Sequence, residues 1–247
     1  MHALILAAGL GKRLALPHPK CLLRFGGETL LGRHIRLLHG LGIDAIHVVT
    51  GFGSQQVAQE LGRLGLDHEV RLVFNPNYAA GSVVSLWCLV DVLRLGCEVL
   101  IMDADVLYDP QILARLVGSP HAGCFLLDRD YTPGDEPVKL CVRAGRLVEF
   151  RKRIAPDLTY DFSGESLGFF RFAPDMAGRL AEWTEAYITQ GRSHEPHEEA
   201  IRDLLLEHAD RMHYEDVTGL PWIEIDFPED VVRAEREVLP RLNPTDD

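Results

Sequence analysis

Short apolar segments alternate with longer segments of helical periodicity in the first half of the chain. Four apolar runs have the length of buried strands: residues 3–7, 45–49, 70–74 and 99–102. Three further segments carry apolar residues at helical spacing: residues 29–41, 54–64 and 82–95. Strands separated by helices of this length pair in parallel, with right-handed crossovers. The pattern therefore predicts a mostly parallel central sheet flanked by helices.

The pattern changes after Pro120. Strands are predicted at residues 123–128, 138–142, 146–150, 167–172 and 222–226, with a hairpin turn at Ala144-Gly145. Helices are predicted at residues 174–190 and 197–208, and from Pro228 onward. No internal repeat and no linker rich in proline or glycine interrupts the chain. We therefore expect a single α/β domain over residues 1–247, with a smaller α+β part after residue 120.

Composition and charge exclude several classes of protein. Of the 247 residues, 47% are hydrophobic and 25% are charged, which is typical of a globular chain. The formal net charge of −12 argues against a nucleic-acid scaffold and against an anionic membrane surface as partner. No apolar run approaches the roughly 20 residues of a membrane-spanning helix, and no signal peptide is recognisable. The five cysteines are scattered and expected to be reduced, so we expect a cytoplasmic protein.

The first predicted strand leads into a glycine-rich loop, Leu6-Ala7-Ala8-Gly9-Leu10-Gly11-Lys12-Arg13, which is followed by Pro19-Lys20. Glycines after a strand let backbone N–H groups approach phosphate oxygens. Arg13 offers a forked donor for phosphate, and Lys20 offers a mobile positive charge. The loop is not a dinucleotide fingerprint, because Leu14 stands where the third glycine belongs, and no Walker motif follows. The combination predicts a site for a phosphate-rich ligand.

Two aspartates, Asp103 and Asp105, stand at the carboxyl end of the strand predicted at residues 99–102. Ligands of open α/β sheets bind at that edge. Carboxylate oxygens suit Mg²⁺, which binds through one or two carboxylates together with substrate phosphates. The sequence therefore predicts a magnesium site here. The alternative is that both aspartates only cap the helix that starts near Asp109-Pro110.

The glycine-rich loop and the downstream Pro-Lys resemble the signature of a nucleotidyltransferase family that makes sugar nucleotides and CDP-alcohols. Lys12 stands where that signature has Ser or Thr, which places an extra charge beside the triphosphate. The resemblance continues through Asp103-Ala104-Asp105, Gly164-Glu165-Ser166-Leu167-Gly168 and Glu224-Ile225-Asp226. It implies a Rossmann-like, GT-A-type nucleotidyltransferase fold. Residues 1–120 would mainly bind the nucleotide, and residues 121–247 would mainly bind the acceptor.

Within this family the chain looks closest to cytidylyltransferases that act on phosphocholine, 2-aminoethylphosphonate or inositol 1-phosphate. The resemblance implies Mg²⁺-dependent transfer of CMP from CTP to such an acceptor, with release of pyrophosphate. It also implies Asp105 and Asp226 as the metal ligands, with Asp103 and Glu224 behind them. The expected catalytic residues are Lys20, Arg13 and Asp105. The expected nucleotide-binding residues are Leu6, Ala7, Ala8, Gly9, Gly11, Lys12, Arg13, Lys20, Ser82, Ser85 and Asp103. The expected acceptor-binding residues are Lys139, Lys152, Glu165 and Trp222.

Other functions fit parts of the same pattern. One is a sugar-1-phosphate or molybdopterin-type nucleotidyltransferase with the same loop and another nucleotide. Another is a glycosyltransferase of similar fold that uses Asp103-Ala104-Asp105 for its metal, and Arg13 and Lys20 count against it. A third is a nucleotide-binding regulatory domain without turnover, which the intact Lys20, Asp105 and Asp226 disfavour. The sequence leaves the oligomeric state open, a homodimer included.

The stretch His194-Glu195-Pro196-His197-Glu198-Glu199 contains residue types found in metal sites. Pro196 breaks any helix of the His-Glu-x-x-His type, and the spacing does not fit that motif. We interpret the stretch as a helix start with acidic residues at its positive end. Glu198 or Glu199 can still face an acceptor pocket from there.

Overall fold

The computed structural model describes residues 1–242, which contain thirteen strands and eight α-helices. Nine of the strands form a central sheet. The strands are β1 (His2–Ala7), β2 (Arg24–Phe25), β3 (Glu28–Thr29), β4 (Ala45–Thr50), β5 (Val70–Phe74), β6 (Val99–Asp103), β7 (Val106–Tyr108), β8 (Gly123–Asp128), β9 (Lys139–Arg143), β10 (Arg146–Arg151), β11 (Phe162–Phe172), β12 (Met212–Asp216) and β13 (Trp222–Glu224). The helices are α1 (Leu30–Gly40), α2 (Ser54–Leu64), α3 (Val83–Trp87), α4 (Val90–Leu93), α5 (Pro110–Gly118), α6 (Pro174–Thr189), α7 (His197–Glu207) and α8 (Pro228–Arg233).

The main sheet has the strand order β10-β9-β11-β6-β1-β4-β5, with β8 paired to β11 and β12 paired to β8. Strand β1 pairs in parallel with β4 and β6, and β4 pairs in parallel with β5. Strand β11 runs antiparallel to β6. The predicted α/β fold with a central parallel sheet is therefore confirmed. Because β1 and β6 are parallel neighbours, the glycine-rich loop and Asp103 emerge at the same edge of the sheet.

Hydrophobic cores lie on both faces of this sheet. Successive side chains of a strand point to opposite faces. Leu4 accordingly packs with the side chains of α3, α4, α6 and α7, whereas Ile5 packs with those of α1, α2 and α5. Both side chains are fully buried, and burial of such a side chain contributes about 1.5–3 kcal/mol. The strand that carries the glycine-rich loop is therefore held from both sides.

Three local differences from the predicted elements have physical causes. The helix predicted over residues 82–95 is two short helices, α3 and α4, because Leu89 leaves the helical conformation at φ −107° and ψ 9°. Its side chain is fully buried, so tertiary packing overrides the helical pattern. Strand β12 was not predicted, since Met212 is the only buried residue of this polar segment. Strand β11 begins at Phe162, earlier than predicted, because its polar first residues pair with β9.

A small second sheet carries the C-terminal segment to the edge where β6 ends. Strand β13 pairs antiparallel with β7, which follows β6 directly. Beyond β13, the N–H of Ile225 donates to the carbonyl of Asp105 at 2.9 Å. The carboxylate of Asp230 accepts from the N–H groups of Asp226 and Phe227 at 3.0 and 2.8 Å. Residues 243–247 of the predicted domain lie outside the described residues.

Candidate active site

The glycine-rich loop leaves β1 at Ala7 and turns at Gly11. Gly11 has a φ of 56°, in the left-handed region that favours glycine. The N–H of Leu14 donates to the carbonyl of Gly11 at 3.1 Å. A Cβ on Gly11 would lie 3.2 Å from Cγ of Lys20. Glycine at this position therefore permits both the turn and the close approach of Lys20.

Lys20 lies between two aspartates that are far apart in the sequence. Its Nζ donates to Oδ2 of Asp105 at 2.8 Å and to Oδ1 of Asp226 at 2.5 Å. The Lys20 side chain is only 16% exposed. Burial opposes its charge, but the two carboxylates raise the pKa of Lys20 above its ordinary value. Lys20 is therefore charged at neutral pH, and the structure brings together the two aspartates expected to share a metal.

Arg13 approaches the same aspartate from the solvent side. Its Nη1 donates to Oδ2 of Asp226 at 2.8 Å, and its Nη2 lies 3.0 Å from Oε2 of Glu136. Burial alone would raise the pKa of Asp226, but Lys20 and Arg13 hold it below its ordinary value. Both cations expected to bind phosphate thus meet one carboxylate.

Three carboxylates in this place form a set of potential metal ligands. Asp105, Glu224 and Asp226 each offer an oxygen, and these atoms lie within 4.8 Å of one another. Hard oxygen donors of this kind fit Mg²⁺. Loss of bulk water and the charges of Asp105 and Asp226 raise the pKa of Glu224 well above its ordinary value. A cation would relieve that repulsion, so the structure adds Glu224 to the expected ligand pair.

The alternative role of Asp103 and Asp105 as helix caps is wrong. Asp109 caps α5, because its Oδ1 accepts from the N–H of Gln111 at 2.8 Å. Asp103 is the last residue of β6 and packs against Gly168, where an added Cβ would lie 2.2 Å from Oδ2 of Asp103. Both Asp103 and Asp105 line a cavity instead.

This cavity of about 440 Å³, called here the loop cavity, extends from the glycine-rich loop to the carboxylates. All the expected nucleotide-binding residues line it: Leu6, Ala7, Ala8, Gly9, Gly11, Lys12, Arg13, Lys20, Ser82, Ser85 and Asp103. Ser82 precedes α3 and Ser85 lies within it. The structure therefore gathers side chains from three separate segments around one space.

Several residues that line the loop cavity were not among the expected nucleotide-binding residues, and His197 and Glu198 are two of them. His197 and Glu198 begin α7 and line the same cavity. The Nδ1 atom of His197 lies 3.0 Å from Oγ of Ser82. The interpretation of this stretch as a helix start is confirmed, but local spacing carries no signal that the helix end meets Ser82. One wall of the loop cavity therefore comes from the part of the chain beyond residue 120.

A second cavity of about 580 Å³, called here the side cavity, adjoins the loop cavity and shares Arg13 and Glu198 with it. The consecutive basic residues Arg151, Lys152 and Arg153 line the side cavity. Glu199 lies on the same wall and accepts from Arg151 at 2.8 and 2.7 Å. Of the expected acceptor-binding residues, Lys152 is the one placed at this cavity.

Lys139 is held by backbone carbonyls. Its Nζ donates to the carbonyls of Gly134, Pro137 and Lys152 at 2.6, 3.2 and 2.7 Å. These contacts join the loop before β9 to the residue that follows β10. Lys139 therefore supports the backbone that carries Lys152, and its expected contact with an acceptor phosphate stays a prediction.

Glu165 and Trp222 both lie beside Asp128, and neither is among the described residues that line the two cavities. The Nε1 of Trp222 donates to Oδ2 of Asp128 at 2.7 Å. Glu165 faces Asp128 in the register between β11 and β8. Burial, followed by the charge of Asp128, raises the pKa of Glu165 to about 7. Their role in acceptor binding stays a prediction.

The sequence matches a known protein family. The model of the MobA-like NTP transferase domain matches residues 3–159. The chain belongs to this family. The expected nucleotidyltransferase family and enzyme class are therefore confirmed. The match covers the glycine-rich loop, Lys20, Asp103 and Asp105, and it ends before α7.

The nucleotidyltransferase is similar to two longer curated proteins. It is 30% identical over 243 residues to a bifunctional IPC transferase and DIPP synthase of Rubrobacter xylanophilus, covering 96% of this chain and 52% of the relative. It is 25% identical over 254 residues to a CMP-5′-(3-aminopropyl)phosphonate synthase of Streptomyces rubellomurinus, covering 97% of this chain and 39% of the relative. The chain thus spans about half the length of these relatives or less.

Among solved structures, the fold is similar to that of a CTP:phosphocholine cytidylyltransferase from Streptococcus pneumoniae. The TM-score is 0.71 and the sequence identity is 20%, over 95% of this chain and 97% of the other. This likeness confirms the nucleotidyltransferase fold expected from the sequence. Among the described residues, no helix has both the length and the apolar character needed to cross a membrane.

Proposed function

We propose that this nucleotidyltransferase is a Mg²⁺-dependent cytidylyltransferase, which joins CMP from CTP to a small phosphorylated alcohol or phosphonate and releases pyrophosphate. The observation that carries the proposal is the position of Lys20. Its Nζ contacts both Asp105 and Asp226 on the wall of the loop cavity. A fixed cation beside a set of carboxylate ligands suits phosphoryl transfer, because catalysis of that reaction consists of positioning and of stabilising charge.

The reaction needs no protein nucleophile. A substrate phosphate is largely dianionic near neutral pH, so its oxygen forms a bond to the α-phosphorus of the nucleotide. The bond from that phosphorus to the bridging oxygen of pyrophosphate breaks at the same time. Catalysis then consists of positioning and charge stabilisation. Lys20 stabilises the charge at the α-phosphoryl group.

Asp105, Asp226 and Glu224 are the residues that would hold Mg²⁺, which supplies further positive charge at the phosphates when bound. Arg13 and the N–H groups of the glycine-rich loop hold the departing pyrophosphate. Arg13 is suited to this task because its side chain lines the loop cavity and is 44% exposed. Its forked donors match phosphate oxygens better than an ammonium does.

The choice of CTP and of acceptor class is supported by similarity rather than by geometry. The Streptomyces relative is named as the synthase of a CMP-phosphonate, and the Streptococcus structure is named as a CTP:phosphocholine cytidylyltransferase. The family resemblance implies that Ala8, Gly9 and the turn at Ser82 and Ser85 hold the base, and all of these residues line the loop cavity.

The side cavity is the proposed acceptor site. It shares Arg13 and Glu198 with the loop cavity, so a molecule in one touches the wall of the other. Lys152 and Arg153 offer positive charge for the acceptor phosphate. Glu198 offers a carboxylate where the two cavities meet.

The proposal is tested by incubating the protein with each of four nucleoside triphosphates, Mg²⁺ and a panel of phosphorylated acceptors. The panel contains phosphocholine, 2-aminoethylphosphonate, inositol 1-phosphate and a sugar 1-phosphate. We expect pyrophosphate and an equal amount of a CMP–acceptor product with CTP, and neither with Asp105→Asn. Product with only a sugar 1-phosphate or another nucleotide would replace the proposed substrates. The absence of pyrophosphate from every pair contradicts the proposed reaction.

A further inference from the structure

His197 lies buried in the wall of the loop cavity. Its side chain is only 3% exposed. Its Nδ1 lies 3.0 Å from Oγ of Ser82, and its own N–H donates to the same Oγ at 2.9 Å. On the other edge of the ring, Nε2 lies 3.9 Å from Oδ1 of Asp103. One imidazole therefore stands between the expected base-binding turn and the aspartate at the end of β6.

The turn around Ser82 is docked on the segment that leads to His197. The N–H of Gly81 donates to the carbonyl of Ser193 at 2.8 Å, and the N–H of Val83 donates to the carbonyl of Glu195 at 3.3 Å. A Cβ on Gly81 would lie 2.0 Å from the carbonyl oxygen of Glu195. Only glycine permits this approach, and the two hydrogen bonds hold the two backbone segments together.

The charges around His197 favour its position between Ser82 and Asp103. Burial alone would lower its pKa, but Glu198 and Asp103 raise the pKa of His197 to about 9. The Nδ1 of His197 lies 3.0 Å from Oε2 of Glu198. Asp103 cannot withdraw from the ring easily, because its carboxylate packs on Gly168. The ring of His197 is thus linked to Asp103 by charge rather than by a hydrogen bond, because its Nε2 has no hydrogen-bond partner among the described residues.

We propose that His197 is a positioning residue, which fixes the Ser82 turn and Asp103 relative to each other. This inference rests on the proposed function, since it concerns how a nucleoside triphosphate is held at both ends. The base end of the loop cavity is built on Ser82, and the metal end follows Asp103 directly in the chain. His197 fixes the distance between these two ends of the cavity. The nucleoside and the phosphates of one ligand can then reach their contacts at the same time.

Two substitutions of His197 test the contact made by Nδ1 and the contact made by Nε2 separately. The side-chain amide in His197→Asn reaches about as far as Nδ1 and can keep the contact with Ser82. The longer His197→Gln places its amide near Nε2 and can keep the contact with Asp103. His197→Ala removes both. His194→Ala serves as the matched control, because His194 lies in the same segment with a side chain that is 75% exposed.

The experiment measures binding by calorimetry in the presence of Mg²⁺. The ligands are inorganic tripolyphosphate and whichever of CTP, UTP, GTP and ATP binds the wild type most tightly. We expect His197→Ala to weaken nucleotide binding about tenfold, the effect of one lost hydrogen bond to a charged group. Tripolyphosphate binding should stay within about twofold of wild type. His197→Asn and His197→Gln should fall between wild type and His197→Ala, and His194→Ala should bind both ligands like wild type.

Each contrary result has a distinct meaning. Unchanged nucleotide binding in His197→Ala overturns the positioning role. Equal losses for nucleotide and tripolyphosphate overturn it as well, since the residue would then act on the phosphate end or on the whole fold. Wild-type binding by either His197→Asn or His197→Gln shows that a single contact suffices, which also contradicts the proposal. A wild type that binds no nucleoside triphosphate removes the proposed function itself. Thermal unfolding of each variant shows that it is folded, and the two amide variants keep the test open if His197→Ala is not.

Discussion

The loop cavity and the side cavity are adjacent, yet they are built in different ways. The loop cavity is formed by strand ends and turns of the buried sheet, and its central cation, Lys20, is 16% exposed and held by two carboxylates. The side cavity is lined by Arg151, Lys152 and Arg153, where β10 ends. Lys152 is 48% exposed, and its Nζ lies 3.7 Å from the nearest carboxylate oxygen, on Glu136.

This difference indicates a division of tasks. Fixed charges at a developing negative charge need no reorganisation during the reaction, so a rigid cavity suits the chemical step. Exposed charges on a loop are screened by solvent and adapt to different ligands. The loop cavity is therefore expected to determine the rate of transfer, and the side cavity to determine which acceptor is used.

The largest expected effect comes from Lys20. Lys20→Met removes the cation held against Asp105 and Asp226, and we expect kcat/KM to fall about 10²–10³-fold, as for other fixed groups that stabilise a transition state. Lys12→Met is the matched control, because Lys12 is an exposed lysine of the same loop, and its loss should cost less than about tenfold. Steady-state pyrophosphate release measures both variants. If kcat/KM falls equally in both variants, the rigid placement of Lys20 does not contribute to the rate.

A smaller effect is expected in the side cavity. Lys152→Ala should raise the KM for the acceptor about tenfold, the value of one hydrogen bond between charged groups. The KM for the nucleotide should not change. Arg146→Ala, at the opposite end of β10, is the control. Titration of each substrate at saturating concentrations of the other measures this split. If Lys152→Ala raises the KM for the nucleotide instead, the two cavities do not divide the substrates as described.

The smallest expected effect concerns stability and involves Glu165, near Asp128. Its pKa is about 7 in the folded protein against an ordinary value of 4.5. The folded state therefore holds the proton more tightly, and stability falls as pH rises through this window. Glu165→Gln removes that loss and should raise Tm at pH 8 by a few degrees, since about 1 kcal/mol shifts Tm by about 2–4 °C at this chain length. The increase should be smaller at pH 5.

Glu149→Gln is expected to change Tm at pH 8 in the opposite direction from Glu165→Gln. Burial opposes the charge of Glu149, but its contacts with Arg202 at 2.5 and 2.7 Å hold its pKa below the ordinary value. A lowered pKa gives stability that is present above the ordinary value and lost as pH falls through the folded pKa. Glu149→Gln should therefore lower Tm at pH 8. An equal shift of Tm at both pH values in Glu165→Gln would contradict the assigned pKa.

The sequence predicts the features that depend on neighbouring residues and not those that depend on contacts between distant residues. The strand and helix pattern of residues 1–120, the turn at Gly11 and the aspartates at the end of β6 are local features, and local periodicity and turn chemistry identify them. Asp105 and Asp226 are distant in the sequence but contact the same Lys20 in the structure, and family resemblance was needed to expect this proximity. The position of Glu224 beside Asp105 and Asp226 depends on the pairing of β13 with β7, which no local pattern specifies.

His197 and Lys139 show the limits of residue type as a guide. His197 stands in a stretch whose spacing indicates only a helix start, and its contact with Ser82 arises when α7 packs beside α3. Lys139 was expected to bind the acceptor on the basis of the family resemblance. Its Nζ instead donates to three backbone carbonyls. Charge and spacing identify candidates, whereas tertiary packing decides which of them face a cavity.

In the proposed function, Asp105 and Asp226, which are distant in the chain, hold one divalent ion at the nucleotide phosphates. Binding of Mn²⁺ in the presence of CTP, followed by electron paramagnetic resonance, tests it most directly in wild type, Asp105→Asn and Asp226→Asn. Both variants should bind Mn²⁺ more weakly by at least the roughly 10–100-fold that even a partner of a metal ligand contributes. Wild-type affinity in Asp226→Asn would contradict the shared site.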